Sequence, residues 1–208
     1  MRLRRVFAGA AIAVAALAFA AYVQAQGSYP SKPIRMVVGF PPGGGMDLSA
    51  RVYSAKLQDA LSTPIVVENR PGGTGLLAGE HVARSAPDGY TLLVGASGQM
   101  TINPVLMAEH PYDTVRDFAA ITVAESGVPG YDISVWAGLF APAGTSQAVV
   151  ARLYREASRA MSAPDTREKL RNIGMDPGGL APERLAAMIK ADIVRYGAIV
   201  KAAGIKAE

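Results

Sequence analysis

The sequence predicts an α/β fold, one lobe with a mostly parallel sheet flanked by helices. Two observations carry this. Apolar runs of strand length alternate with stretches of helical period along the chain. The first such run, Ile34 to Phe40, stops at Pro41-Pro42, three glycines follow (Gly43, Gly44, Gly45), and an amphipathic helical pattern opens at Asp47. Strand, glycine loop and helix start in that order let backbone N–H groups face an anion at close range, with about half a positive charge from the helix behind them.

Before the first strand, residues 1–25 read as an export leader. Arg2, Arg4 and Arg5 form a basic start, Val6 to Tyr22 is almost wholly apolar, and Val23-Gln24-Ala25 fits a small-residue cleavage site, with cleavage expected after Ala25. The rival reading, a membrane anchor, needs ~20 apolar residues, more than this run supplies. The chain has no cysteine, so no lipidated N-terminus, disulfide framework or thiol chemistry is expected, which suits a bacterial periplasm. The leader's three arginines account for most of the formal charge of +4, so residues 26–208, a single lobe, are close to neutral. With no block of like charges and 7% aromatic residues, nucleic acid is not an expected partner.

Each further element has its own local cause. Helix one is expected over Asp47 to Leu61, with Leu48, Val52 and Ala55 on one face. A short strand follows at Ile65 to Glu68, then the loop Asn69-Arg70-Pro71-Gly72-Gly73-Thr74-Gly75 and a helix over Leu76 to Ser85. Pro87-Asp88-Gly89 is a turn, and Tyr90 to Gly95 a buried strand. Ala96 to Asn103 is small and polar, and Pro111 to Phe118 a connector. Trp136 to Pro142 contains a short strand. Thr145 or Ser146 caps a helix over Gln147 to Met161, and a short helix over Asp165 to Asn172 ends at Gly174. The last helix starts at Pro182, buries Leu185, Ile189, Tyr196 and Val200, and ends at Gly204.

The chemistry-bearing candidates lie where strands end. The Gly43–Asp47 loop reads either as a cradle for a carboxylate or phosphate or as a tight βα turn. It is not a P-loop, lacking Gly-Lys-Ser/Thr, and the dinucleotide spacing is absent. Asp47 is expected to cap the helix, with a ligand contact as the alternative. Gly95-Ala96-Ser97-Gly98 follows a buried strand, at the edge where open α/β sheets bind ligands, but is not a nucleophile elbow. His81 and His110 have no spaced partner acid, and two isolated histidines offer no metal-ligand spacing, so neither an enzyme, a cofactor nor a metal site is expected. Arg51 and Lys56 are expected to be solvated or paired with Asp59. Arg70 is a possible anion partner, and Trp136 is read as packing, with a cleft wall as its alternative.

The ordered motifs YPSKPIRMVVGFPPGGGMDLSAR, VVENRPGGTG, APDGYTLLVGASG, INPVL, AESGVPGYD, WAGLFAPAGT and the tail AIVKAAGIKAE resemble the tripartite tricarboxylate transporter receptor family, the periplasmic solute receptors also called Bug proteins. The resemblance covers nearly all of residues 26–208. It implies a periplasmic-binding-protein-like clamshell that holds small carboxylates mainly by backbone N–H groups and ordered waters and delivers them to a membrane permease. Carried onto this chain, the ligand residues implied are Phe40, Gly43, Gly44, Gly45, Met46 and Asp47 from the first loop, and Ser97, Gly98, Thr101 and Asn103 from the loop after the YTLL strand. Two departures stand out. Met46 replaces a small residue or threonine, which bears on ligand choice. The family's second lobe, which would enter near Ile121-Thr122, is missing, leaving a shortened receptor or, alternatively, a degenerate lobe with little or no binding.

Overall fold

The computed structural model describes residues 29–127 and 134–205. The expected leader with the three residues after it, residues 128–133 of the chain and the final three residues lie outside these. Among the described residues, five strands form one sheet in the order β2-β1-β3-β5-β4: β1 (Ile34–Val38), β2 (Ile65–Asn69), β3 (Thr91–Ala96), β4 (Phe118–Gly127) and β5 (Ser134–Pro142). β1 pairs parallel with β2 and β3, whereas β5 is antiparallel to both β3 and β4. Four strands therefore run one way and β5 alone opposes them, a mostly parallel sheet with one reversed member. No described helix is long and apolar enough to cross a membrane.

Among the described residues six α-helices flank the sheet: α1 (Gly45–Leu61), α2 (Leu76–Ala83), α3 (Asn103–Leu106), α4 (Gln147–Ser162), α5 (Pro164–Asn172) and α6 (Pro182–Ala203). α1 packs on α4, and α4 on β4, while α6 packs on β4, on α3 and on the turn before α3. Both sheet faces are thus covered, which is why the strands read as near-continuous apolar runs. On one face Val37, Leu93, Trp136 and Phe140 join Leu76, Val82, Leu185 and Ile189 in one core. On the other, Ala137 and Leu139 meet Tyr53 and Leu57 of α1 and Ala157 and Met161 of α4. Trp136 is fully buried in the first core, so its reading as packing holds and the cleft-wall alternative does not.

Three local expectations are corrected. The stretch from Phe118 to Gly127, read as the end of a connector and a junction, is the longest strand of the sheet. Its outer edge is sealed by the segment before α6: the Gly179 amide donates to Val123 O at 2.9 Å, and Thr122 Oγ1 donates to Leu180 O at 3.2 Å. The buried stripe of α1 is Ala50, Tyr53, Leu57 and Leu61, because the sheet lies on that side; Leu48, Val52 and Ala55 instead line a groove against α5. Lys56 pairs with Asp165 of α5 at 2.6 Å rather than with Asp59. Three ends match their sequence cues: Ser146 caps α4 by accepting from the Val149 amide, Pro182 opens α6, and Gly204 closes it with φ of 64°.

Close packing fixes two glycines. A Cβ on Gly79 of α2 would lie 2.4–2.6 Å from the Tyr112 ring and hydroxyl, and one on Gly138 of β5 would lie 2.6 Å from the Phe140 ring. A Cβ on Gly98 would meet nothing within 4 Å. Gly79→Ala is therefore expected to lower stability by about 1–3 kcal/mol through overpacking. Gly98→Ala is expected to change it by less than about 0.5 kcal/mol. Urea unfolding midpoints at constant slope check both.

Candidate functional site

Three loops converge at the carboxyl edge of the parallel strands: the one from β1 to α1, the one from β2 to α2, and the one after β3. Their meeting is built from side-chain amides. Asn69, the last residue of β2, donates from Nδ2 to Phe40 O at 3.1 Å and to Asp47 Oδ1 at 2.9 Å, tying the second loop to the first. Gln99 is buried and donates from Nε2 to Gly75 O at 2.8 Å, while its Oε1 accepts from the Ala96 amide, tying the third loop to the second. Asn103 Nδ2 donates to Thr74 Oγ1 at 2.8 Å across the same gap. Glycine allows the contact: a Cβ on Gly39 would sit 2.6 Å from the Gly75 Cα.

Asp47 does not cap α1. The N-cap is Gly44, in extended geometry with φ of −78°, and Asp47 lies inside the first turn. Its carboxylate folds back instead. Oδ2 accepts from the Gly43 amide at 2.9 Å and from Arg51 Nε at 2.9 Å, while Oδ1 accepts from Asn69. Only 2% of the residue is exposed. The Arg51 guanidinium is the main reason its pKa falls to about 2; burial works the other way, and the Gly43 amide and Asn69 add to the lowering. Arg51 also reaches Asn69 Oδ1 from Nη2 at 3.4 Å.

The ten candidate residues divide into two sets. Phe40, Gly43 and Asp47 belong to the framework: the Phe40 carbonyl and the Gly43 amide already have protein partners. Gly44, Gly45 and Met46 remain. The first intrahelical bond of α1 runs from the Leu48 amide to Gly44 O, so the Gly45 and Met46 amides precede the helical ladder, and no side chain caps them. A Cβ at Gly45 would touch nothing within 4 Å, and one at Gly44 only Pro41 O at 3.6 Å, so both approaches are open. In the third loop the Ser97 hydroxyl accepts from the Trp136 amide at 3.4 Å, and the fully buried Thr101 hydroxyl donates to Ser97 O at 2.7 Å. Those two side chains hold the turn Gly98–Ile102; Gly98 and Asn103 are the half-buried members that face outward. Arg70 is paired with Glu68. Asn69 and Gln99, which sequence reading did not single out, each stand at or just past a strand's carboxyl end, the one cue that could have drawn attention to them.

An α/β lobe whose loops gather over uncapped helix amides at the strand ends has the edge where open α/β sheets receive ligands. The family model described as "Tripartite tricarboxylate transporter family receptor" matches residues 49–123 and 119–205, and the chain belongs to that family. The two matched stretches meet inside β4. Protein BugT of Bordetella pertussis is 40% identical over 124 residues, covering 59% of this chain but only 38% of BugT. Among solved structures, MatC from Rhodopseudomonas palustris with bound malate superposes with a TM-score of 0.77 at 22% identity, over 83% of this chain and all of that one. An R. palustris protein with adipate gives 0.76 at 20% identity, over 86% and 99%. At these identities the superpositions establish the fold.

The Asp47 network sets a pH dependence. Its pKa lies below the ordinary carboxylate value, so its stabilisation is present above about 4 and is lost as pH falls through about 2. Asp47→Asn should fold yet be less stable than wild type at pH 7, with the gap closing toward pH 2. Unfolding midpoints measured across that range check it, and a gap that is equal at both ends contradicts it.

Proposed function

We propose that this chain is an exported, periplasmic receptor lobe that binds small carboxylates at the uncapped Gly44–Met46 amides for a membrane permease. The leader of residues 1–25 is removed after Ala25, and the family's second lobe is absent. The observation that carries this reading is the uncapped first turn of α1, where the Gly45 and Met46 amides precede the helical ladder, a Cβ at Gly45 would meet open space, and a helix of 17 residues stands behind them. Arg51 supports it by neutralising Asp47, the only acid in that turn, so an arriving anion meets no uncompensated negative charge. The family and the malate and adipate held by its structural neighbours supply the ligand class.

One lobe limits affinity. Two charge-assisted hydrogen bonds contribute about 3–6 kcal/mol before association costs, which corresponds at best to roughly millimolar binding. No opposing lobe closes over the ligand, so water stays in the site and weakens each bond. A second reading, a lobe that folds and binds nothing useful, is favoured by one observation: the Gly43 amide is already taken by Asp47.

Isothermal titration with malate, succinate and adipate separates the two, since silence across the panel supports the second reading. Gly44→Val is the matched variant. Its backbone sits where a β-branched residue is comfortable, and its side chain would fill the approach. Binding should weaken on the order of tenfold or more, equivalent to about 1.4 kcal/mol, with the unfolding midpoint little changed. An unchanged dissociation constant rejects the cradle.

A further inference from the structure

A cavity of about 90 Å³ lies on the α6 side of the sheet. Phe118 opens β4 and Phe140 stands near the end of β5, which opposes both β3 and β4. Both rings therefore lie toward the amino edge of the parallel strands, away from the Gly44–Met46 amides. They meet edge to face with centroids 6.2 Å apart, and Ala186 and Ile189 of α6 extend the apolar wall.

Two polar groups interrupt that wall. Thr114, in the connector before β4, lines the cavity and is only 5% exposed, yet its hydroxyl has no hydrogen-bond partner among the described residues. A buried hydroxyl left unmatched destabilises the fold, so one set against a cavity points to an occupant that satisfies it. Lys190 lines the same cavity from an exposed position and so marks its mouth. It has no ion-pair partner among the described residues. Its neighbours three and four positions away on α6 are Ala186, Ala187, Ile193 and Val194, none of them acidic. The two acids of the connector are engaged elsewhere. Asp113 accepts from the Val115 and Arg116 amides, and Asp117 from the Arg116 guanidinium.

These features define the occupant. Thr114 and Lys190 are the only polar side chains in the lining, whereas a held water needs about two to four polar partners, so water is poorly retained against the two rings. An anion with an apolar body matches every part of the wall. An apolar cavity of about 150 Å³ holds benzene, so on that scale about 90 Å³ holds on the order of four carbons. A second charge on such a chain would be buried against the rings without a partner, which excludes dicarboxylates.

We propose that this cavity is a second binding site, for a short-chain monocarboxylate. Its head accepts from the Thr114 hydroxyl and the Lys190 ammonium, and its alkyl chain lies against Phe118, Phe140 and Ile189. The site shares no residue with the amide cradle, and the proposal does not rest on the carboxylate reading above.

NMR titration of the purified chain with butyrate tests it. The Ile189 methyl resonances report this cavity, and the Gly45 and Met46 amides report the cradle in the same sample. Butyrate should shift Ile189 saturably, and succinate should leave it unmoved. Lys190→Gln should weaken the Ile189 response on the order of tenfold. Thr114→Val, which replaces the hydroxyl with a methyl, should weaken it several-fold. Ala186→Leu fills the cavity and should abolish it. None of the three should alter the cradle amides. Lys190→Gln changes an exposed side chain, so the test stays decisive if Ala186→Leu does not fold. An Ile189 resonance silent to butyrate overturns the site, whatever the cradle amides do. An equal response to succinate, a response that survives Ala186→Leu, or one indifferent to both Lys190→Gln and Thr114→Val overturns it as well.

Discussion

A buried carboxylate organises the carboxyl edge of the sheet. Asp47 accepts from the Gly43 amide, Asn69 and Arg51, which bring together the loop after β1, the end of β2 and the second turn of α1. It anchors the glycine turn beside the Asn69 contact to Phe40 O: Gly43 is held with φ of 83°, a left-handed conformation that its amide contact stabilises. The same contact occupies the Gly43 amide, so the acid that shapes the loop also takes up one of its backbone donors. Arg51 resolves the resulting conflict. A lone carboxylate beside a helix amino end would compete with any anion for the same positive field; paired with a guanidinium it no longer does.

Around that centre, stiffness comes from side-chain amides rather than from charge. Asn69 links the first and second loops, and Gln99 and Asn103 link the second and third. Amides donate and accept at once, so a few residues satisfy several loop groups that no sheet or helix ladder reaches. The hydroxyls of Ser97 and Thr101 serve the same end inside the third loop.

How much of this was legible in the sequence depended on the range of the interactions. The β1–glycine loop–α1 junction, the Ser146 cap and the Gly204 stop are local devices, and their residue types state them outright. β4 was not legible because Phe118-Ala119-Ala120 carries two alanines, weak strand formers, and becomes a strand only through its register with β5 and through Gly179 along its edge. The α1 stripe differs from expectation because Leu48 and Val52 are more apolar than Ala50 and Ser54, yet the sheet lies on the side of the smaller residues. Asn69 and Gln99 have no spacing motif; their importance lies in contacts with Phe40, Asp47 and Gly75, which sequence order does not reveal.

β4 also shows how the two stretches that match the family meet within one strand. The family's two matched stretches overlap at residues 119–123, and the register of β4 against β5 shifts between Ala120 and Thr122. Phe118 and Ala120 pack into the core beneath α6, and so does Val123, although strict alternation would send an odd-numbered step to the opposite face. The extra residue, Ile121, absorbs that mismatch as a bulge and is itself fully buried. Two segments whose alternation is out of phase by one can therefore run on as a single strand without exposing either half's apolar face. A sheet tolerates such a joint most easily in its outermost strand, where only one neighbour must follow the change, and β4 occupies that position.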